Sequence, residues 1–205
     1  MKRIIVLFLF GAAAVSSAWA QSAEIGVTGG YGRFRDNGLF ESPVFGGPAD
    51  RYEIDDGVRI GARLAFNNWN RFGYEFAYAW QHGGLSLLGP DVSNQLVRED
   101  LGSVSIQNVY FNLTAHATGN DSLFRPFVTG GAGFSTFFPP GTSSLSGRGD
   151  TKYGFNYGGG LKVRLSDKFG LRFDVRDHVT GKPFFEDLDG SLHNVEYSAT
   201  FSLLF

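Results

Sequence analysis

From Asn194 to Phe205 the chain alternates between apolar and polar side chains, and it stops while the apolar face is still running. Val195, Tyr197, Ala199, Phe201, Leu203 and Phe205 share one parity. Glu196, Ser198, Thr200 and Ser202 share the other, with only Leu204 out of step. A period of two is the spacing of a strand with one apolar face. No tail follows Phe205 to cover that face, so it must meet something other than water, and lipid satisfies the requirement.

Seven further segments obey the same rule: residues 23–31, 58–66, 72–81, 108–116, 123–134, 155–165 and 171–176. The start of the fourth, near Ser103, is open, and so is the outward parity of the fifth, R-P-F-V-T-G-G-A-G-F. The third places Phe72, Tyr74, Phe76, Tyr78 and Trp80 on one side, opposite Gly73, Glu75, Ala77, Ala79 and Gln81. The connections between the eight alternate in length. Residues 33–55, 82–100, 137–151 and 179–192 read as long loops, rich in glycine, proline and charge, whereas 67–70, 118–121 and 166–170 read as turns. An up-and-down membrane barrel with brief periplasmic turns and longer external loops produces this alternation. Eight steps from Phe72 to Trp80 at about 3.3 Å, tilted near 40°, project to roughly 20 Å, close to the apolar band of such barrels. The expected fold is therefore all-β, an eight-stranded antiparallel up-and-down transmembrane barrel.

The first twenty residues differ from the rest. Met1-Lys2-Arg3 is basic, Ile4 to Val15 is apolar, and Ala18-Trp19-Ala20 has the small-x-small form of a cleavage site. This reads as a signal peptide over residues 1–20, cut before Gln21, with one domain over 21–205. Its apolar run is shorter than the roughly 20 residues a helix needs to span a bilayer. Without Lys2 and Arg3 the basic residues fall from 18 to 16 against 20 acidic, a formal charge of −4. That balance argues against nucleic acid as a partner. The absence of cysteine excludes disulfide scaffolds and thiolate metal sites.

The leader, R-P-F-V-T-G-G-A-G-F at 125–134, F-N-Y-G-G-G-L-K-V-R-L at 155–165, L-R-F-D-V-R-D-H at 171–178 and the terminal Phe205 together resemble the bacterial outer-membrane β-barrel domain family, in its eight-stranded OmpA-like or OmpX-like group. The resemblance spans residues 21–205. It implies export to the outer membrane, surroundings of outer-membrane lipid and lipopolysaccharide, and a barrel-assembly machinery that reads the last strand, with Tyr197, Phe201, Leu203 and Phe205 as its signal. It departs from full-length OmpA in having no peptidoglycan-binding domain after the barrel.

An eight-stranded bore is only wide enough for side chains to fill. The inward parity supplies Arg59, Arg63, Lys162, Arg164, Arg172 and Arg176 as cations, with Glu24, Glu75, Asp174 and Glu196 as anions. Buried charges persist only when paired, so these residues are expected to form an ion-pair network plugging the lumen, Glu75, Asp174 and Glu196 being its acidic rungs. The rival reading is a gated path for small solutes or ions.

For catalysis the sequence offers no G-x-S-x-G, S-x-x-K or H-E-x-x-H motif and no phosphate loop. Some eight-stranded outer-membrane barrels modify lipid A acyl chains, which requires a His, a Ser and an acid together on the lipid-facing surface. His116 and His178 fall on the inward parity, and His82 and His193 fall in or beside loops, so no such set is evident. The expectation is a monomeric structural or surface-interaction protein with no cofactor, no metal and no chemistry of its own. Its loops would be the place for any surface ligand. They carry apolar clusters (Leu39-Phe40 with Val44-Phe45, Leu85 with Leu87-Leu88, Phe137-Phe138, Pro183-Phe184-Phe185) that read as a packed lid or wall, or else as a patch for a partner. They also carry the tripeptide Arg148-Gly149-Asp150 and an acidic group, Glu186, Asp187 and Asp189, that lacks a full set of calcium ligands.

Overall fold

The computed structural model describes residues 23–35, 38–42, 50–69, 71–90, 95–145, 147–184 and 190–205. The expected leader, Val44-Phe45, Gly46-Gly47-Pro48, Phe185, Glu186, Asp187 and Asp189 lie outside the described residues, as does the Phe40 side chain. Among the described residues there are ten strands and no helix: β1 (Ala23–Phe34), β2 (Gly38–Ser42), β3 (Asp50–Ile54), β4 (Gly57–Trp69), β5 (Phe72–Pro90), β6 (Leu96–His116), β7 (Phe124–Phe138), β8 (Asp150–Arg164), β9 (Phe169–Gly181) and β10 (Ser191–Leu204).

Eight of these close into a ring. Going round it, β1, β4, β5, β6, β7, β8, β9 and β10 pair antiparallel with their neighbours, and β10 returns to β1. The closing seam runs from Glu24 opposite Leu204 to Phe34 opposite Asn194. Past its end the Phe205 amide still donates to the Ala23 carbonyl at 2.9 Å. The alternation seen in the sequence inverts the usual globular pattern. Apolar side chains such as Val27, Ile60, Phe76, Leu113, Val128 and Phe201 are exposed on the outer wall, while arginines, carboxylates and asparagines are buried inside. A contiguous apolar exterior of this kind needs lipid against it. The fifth strand of the ring, β7, resolves its open parity: Arg125, Phe127 and Thr129 are buried, and Phe124, Val128 and Phe134 are exposed.

The largest correction concerns residues 82–100, expected as a loop. Strand β5 continues to Pro90 and β6 begins at Leu96, paired throughout with one register shift at Leu85/Ser86. Nineteen residues at about 3.3 Å, tilted near 40°, rise roughly 48 Å, far beyond the apolar band. The expected loop 33–55 likewise holds two strands: β2 pairs with β3, and β3 pairs with the upper part of β5, Arg51 opposite Leu88. The breaker signal that obscured this was glycine. A Cβ at Gly83 would lie 2.4 Å from the Asp55 carbonyl oxygen, and one at Gly57 would lie 1.8 Å from that of His82. These glycines allow chains to approach where β3 gives way to β4. Asp55 fastens the junction, accepting from Ser86 Oγ at 2.7 Å and from the Arg98 guanidinium.

The mouth at the end of the barrel that carries the long connections is filled by apolar side chains. Phe34, Leu39, Ile54, Val104, Ile106, Phe137 and Leu192 form one buried cluster, with Tyr52, Leu85 and Phe184 against it. Leu39, Leu85, Phe137 and Phe184 thus pack inward as a lid. In the tripeptide at 148–150 the Asp150 carboxylate accepts from the Phe184 amide at 2.5 Å and lies 3.3 Å from Lys152 Nζ, so it is committed to the fold.

Placing a charge on the outer wall should separate membrane from water. Val27→Arg is expected to cost about 2–3 kcal/mol in urea unfolding from lipid vesicles. Val97→Arg, on the β5–β6 arm above the membrane, should stay within about 0.5 kcal/mol.

Candidate functional site

Because side chains of a strand alternate sides, the inward residues of β9 stand in one column: Arg172, Asp174, Arg176 and His178. Across the bore, β4 contributes Arg59 and Arg63, β5 contributes Glu75, and β10 contributes Glu196. Glu75 accepts from Arg172 Nη1 at 2.5 Å, from Arg176 Nη1 at 2.8 Å and from Asn112 Nδ2 at 3.0 Å, with Arg63 at 3.8 Å. Asp174 lies 2.9 Å from both Arg172 Nε and Arg176 Nη2 and 3.1 Å from Arg63 Nη1. Glu196 takes Arg63 Nη2 at 2.5 Å and Arg59 Nη2 at 3.1 Å, and lies 2.8 Å from His178 Nε2. The three carboxylate side chains are at most 2 % exposed. Neutral groups complete the layer: Arg63 Nε donates to Thr28 Oγ1 at 3.1 Å, Arg59 Nη1 to Gln81 Oε1 at 3.3 Å, and Asn156 Nδ2 to Asn112 Oδ1 at 2.7 Å.

Nearer the short turns the spacing opens. Lys162 Nζ donates to both oxygens of Glu24, at 2.9 and 3.0 Å, and Asn67 Nδ2 adds a third bond to Glu24 at 2.8 Å. Arg172 lies with its guanidinium carbon 4.2 Å from the Phe127 ring centre. Arg164 does not join the buried layer. As the last residue of β8 its side chain is 34 % exposed, 3.9 Å from Asp121 and 3.6 Å from Asp167, two carboxylates in water. A cavity of about 10 Å³, no more than a single water needs, lies beside Arg59, Arg63, Arg176 and Glu196. Below it, a vestibule of about 550 Å³ opens among Glu24, Asn67, Arg125, Lys162 and Arg164.

Sequence reasoning left Arg125 out because the parity of its strand was open. It also omitted Thr28, Gln81, Asn112 and Asn156 from the layer, although each is a polar residue on an inward parity and could have been read from that alone. Two histidines lie elsewhere than expected. His82 is in β5, facing out, its ring stacked 5.5 Å from that of Trp80. His193 is in β10 and also faces out, with Nδ1 at 2.9 Å from Asp177 Oδ2 and Nε2 at 3.3 Å from Ser191 Oγ. Ser191 and His193 continue the outward parity of Val195 backwards, a signal that the expected loop 179–192 concealed. Tyr197, Phe201, Leu203 and Phe205 are all exposed on the outer wall, and Phe201 stacks on Phe169 with ring centres 5.6 Å apart.

The family model described as outer membrane protein beta-barrel domain matches residues 5–203. Solved structures similar to the chain include OprG from Pseudomonas aeruginosa, at 13 % identity and a TM-score of 0.60, covering 91 % of this chain and 97 % of that one. Neisserial surface protein A follows at 10 % identity and 0.59, covering 89 % and 97 %. The N-terminal β-barrel domain of Pseudomonas aeruginosa OprF has 13 % identity and 0.50, covering 89 % and 98 %. At these identities the likeness speaks to the fold. No curated protein matches the sequence.

Removing a carboxylate from the charged layer strands its guanidiniums. Glu75→Gln is expected to lose about 3–5 kcal/mol of unfolding free energy in urea titrations from vesicles. Arg164→Gln, whose partners are solvated, should lose less than about 1 kcal/mol.

Proposed function

The chain belongs to the outer membrane protein beta-barrel domain family, and from that premise we propose that it is a closed, monomeric barrel with a structural or surface-interaction role, its lumen plugged by the ion-pair network. The observation that carries this reading is the charged layer itself. Eight side chains contributed by β4, β5, β9 and β10 converge there, the cavity beside Arg59, Arg63, Arg176 and Glu196 is only about 10 Å³, and the apolar cluster fills the mouth above. A hydrated ion has no room in such a space, and stripping its water would cost far more than this already paired layer could return.

Outer-membrane lipid surrounds the wall, and lipopolysaccharide would meet its outer rim. The β5–β6 arm with β3 beside it would present the surface for an external ligand. In biogenesis, the leader would be removed after Ala20, leaving the domain 21–205. The outward aromatic column ending at Phe205 would be read by the assembly machinery. The lumen has no catalytic part in this account: of its two histidines, His178 is held by Glu196 at 2.8 Å, with Arg59 at 3.5 Å, and His116 lies with its ring 5.9 Å from that of Phe127.

The reading is tested by conductance. The full chain refolded into planar bilayers is expected to give no stable open level at moderate voltage, and Glu75→Ala, which loosens the plug, should produce transient openings. Stable open events in the wild-type protein would establish the channel instead.

A further inference from the structure

The outer wall carries an arrangement that the closed lumen does not explain. On β10 the outward parity runs from Phe205 through Phe201, Tyr197 and Val195 to His193 and Ser191. His193 Nδ1 is 2.9 Å from Asp177 Oδ2 of β9, and the same oxygen accepts from the Tyr157 hydroxyl of β8 at 3.0 Å. A carboxylate only accepts, so Nδ1 bears a proton, and in the neutral ring Nε2 keeps its lone pair. That lone pair lies 3.3 Å from Ser191 Oγ. Acid to Nδ1 and Nε2 to hydroxyl is the order in which an imidazole activates a serine. Exposure is graded to match: the Asp177 side chain is 8 % exposed, that of His193 is 33 %, and Ser191 is open to the outside.

The position of this set selects its substrate. Twelve steps of about 3.3 Å from Phe205 to His193, tilted near 40°, make roughly 30 Å, against an apolar band of about 25 Å. His193 therefore stands at the outer edge of the band, level with lipid headgroups and their ester carbonyls. The Arg35 amide donates to the His193 carbonyl at 3.0 Å, which sets that exposed residue beside the histidine, and Arg33 of β1, 4.0 Å from Asp56, lies opposite Val195. A cationic rim next to a serine aimed at the bilayer fits an acyl ester of an anionic lipid.

We propose that Ser191, His193 and Asp177 form an ester-hydrolysing site on the outer wall, acting on an acyl ester of an outer-leaflet lipid with an anionic headgroup. This goes beyond the closed-barrel reading and does not rest on it. Ser191 Oγ attacks the ester carbonyl carbon while its proton passes to His193 Nε2. The tetrahedral adduct collapses, the carbon–oxygen bond to the lipid alcohol breaks, and that oxygen takes the proton from His193. Water, deprotonated by His193, then cleaves the acyl-serine and releases the fatty acid. Asp177 is a positioning residue that holds the imidazole and balances its charge, itself held by Tyr157.

The test uses the full chain refolded into vesicles of lipopolysaccharide and phosphatidylglycerol, its fold verified by a heat-dependent gel shift. Free fatty acid is measured by mass spectrometry, and reaction with an alkyl fluorophosphonate by intact mass. The expected result is fatty acid release and a single phosphonate adduct at Ser191. Ser191→Ala, an exposed change that spares the barrel, should abolish the adduct and cut release at least about 1,000-fold, and His193→Ala should do the same. In parallel vesicles of phosphatidylglycerol alone and phosphatidylcholine alone, Arg35→Ala should lower release from the first relative to the second about tenfold. A gel-shifted wild-type protein that takes no adduct and releases no acyl chain would reduce the set to a polar girdle and overturn the proposal. Release unchanged in Ser191→Ala would overturn it equally.

Discussion

Hydrocarbon provides no hydrogen-bond partner, so every backbone amide and carbonyl inside the membrane must find one within the protein. The pairing of β1 with β10 is where this chain meets that demand. Without it, two strand edges would lie open to lipid. With it, the strand number is fixed at eight, and so is the width of the bore. Everything inside follows from that width. Side chains must fill the space, the inward parity makes them polar, and polar groups removed from water must satisfy one another.

The charged layer answers that need and also acts on the wall. Arg63 on β4 reaches Glu196 on β10 and Asp174 on β9, and Arg172 on β9 reaches Glu75 on β5, so the pairs cross the bore between strands that are not neighbours in the ring. A slip of one residue in any of these strands would turn its charges into lipid and its apolar residues inward. Buried pairs of this kind contribute little net stability over an apolar filling. Their value here is to fix register and, in the proposed reading, to close the passage. The apolar cluster at the mouth works by a different principle, using burial where loops can fold over and water is near.

Much of this was legible from period and punctuation. The eight ring strands, their order and the inward column Arg172, Asp174 and Arg176 follow from alternation alone, because a barrel wall imposes one rule on every strand. What was hidden lay where that rule ends. Above the membrane β6 from Leu96 to Asp100 is exposed on both faces, alternation fades, and Gly83 and Gly84 read as a break although Gly83 serves a close approach to Asp55. The parity of β7 was ambiguous because Phe127 faces in, against Arg172, where a polar residue is the rule. Ser191 and His193 were obscured for a related reason. At the headgroup level an outward residue is polar, and a polar residue beside a loop resembles the loop.

Two surfaces thus separate, a lumen filled by paired charges and an outer wall of apolar side chains. The central claim is that the lumen's ion pairs act as one coupled layer. A double-mutant cycle on Arg63 and Glu196, using Arg63→Met and Glu196→Gln with reversible urea unfolding from vesicles, tests it most directly. The account predicts a coupling energy of about 1–3 kcal/mol. Additivity to within about 0.3 kcal/mol would contradict it.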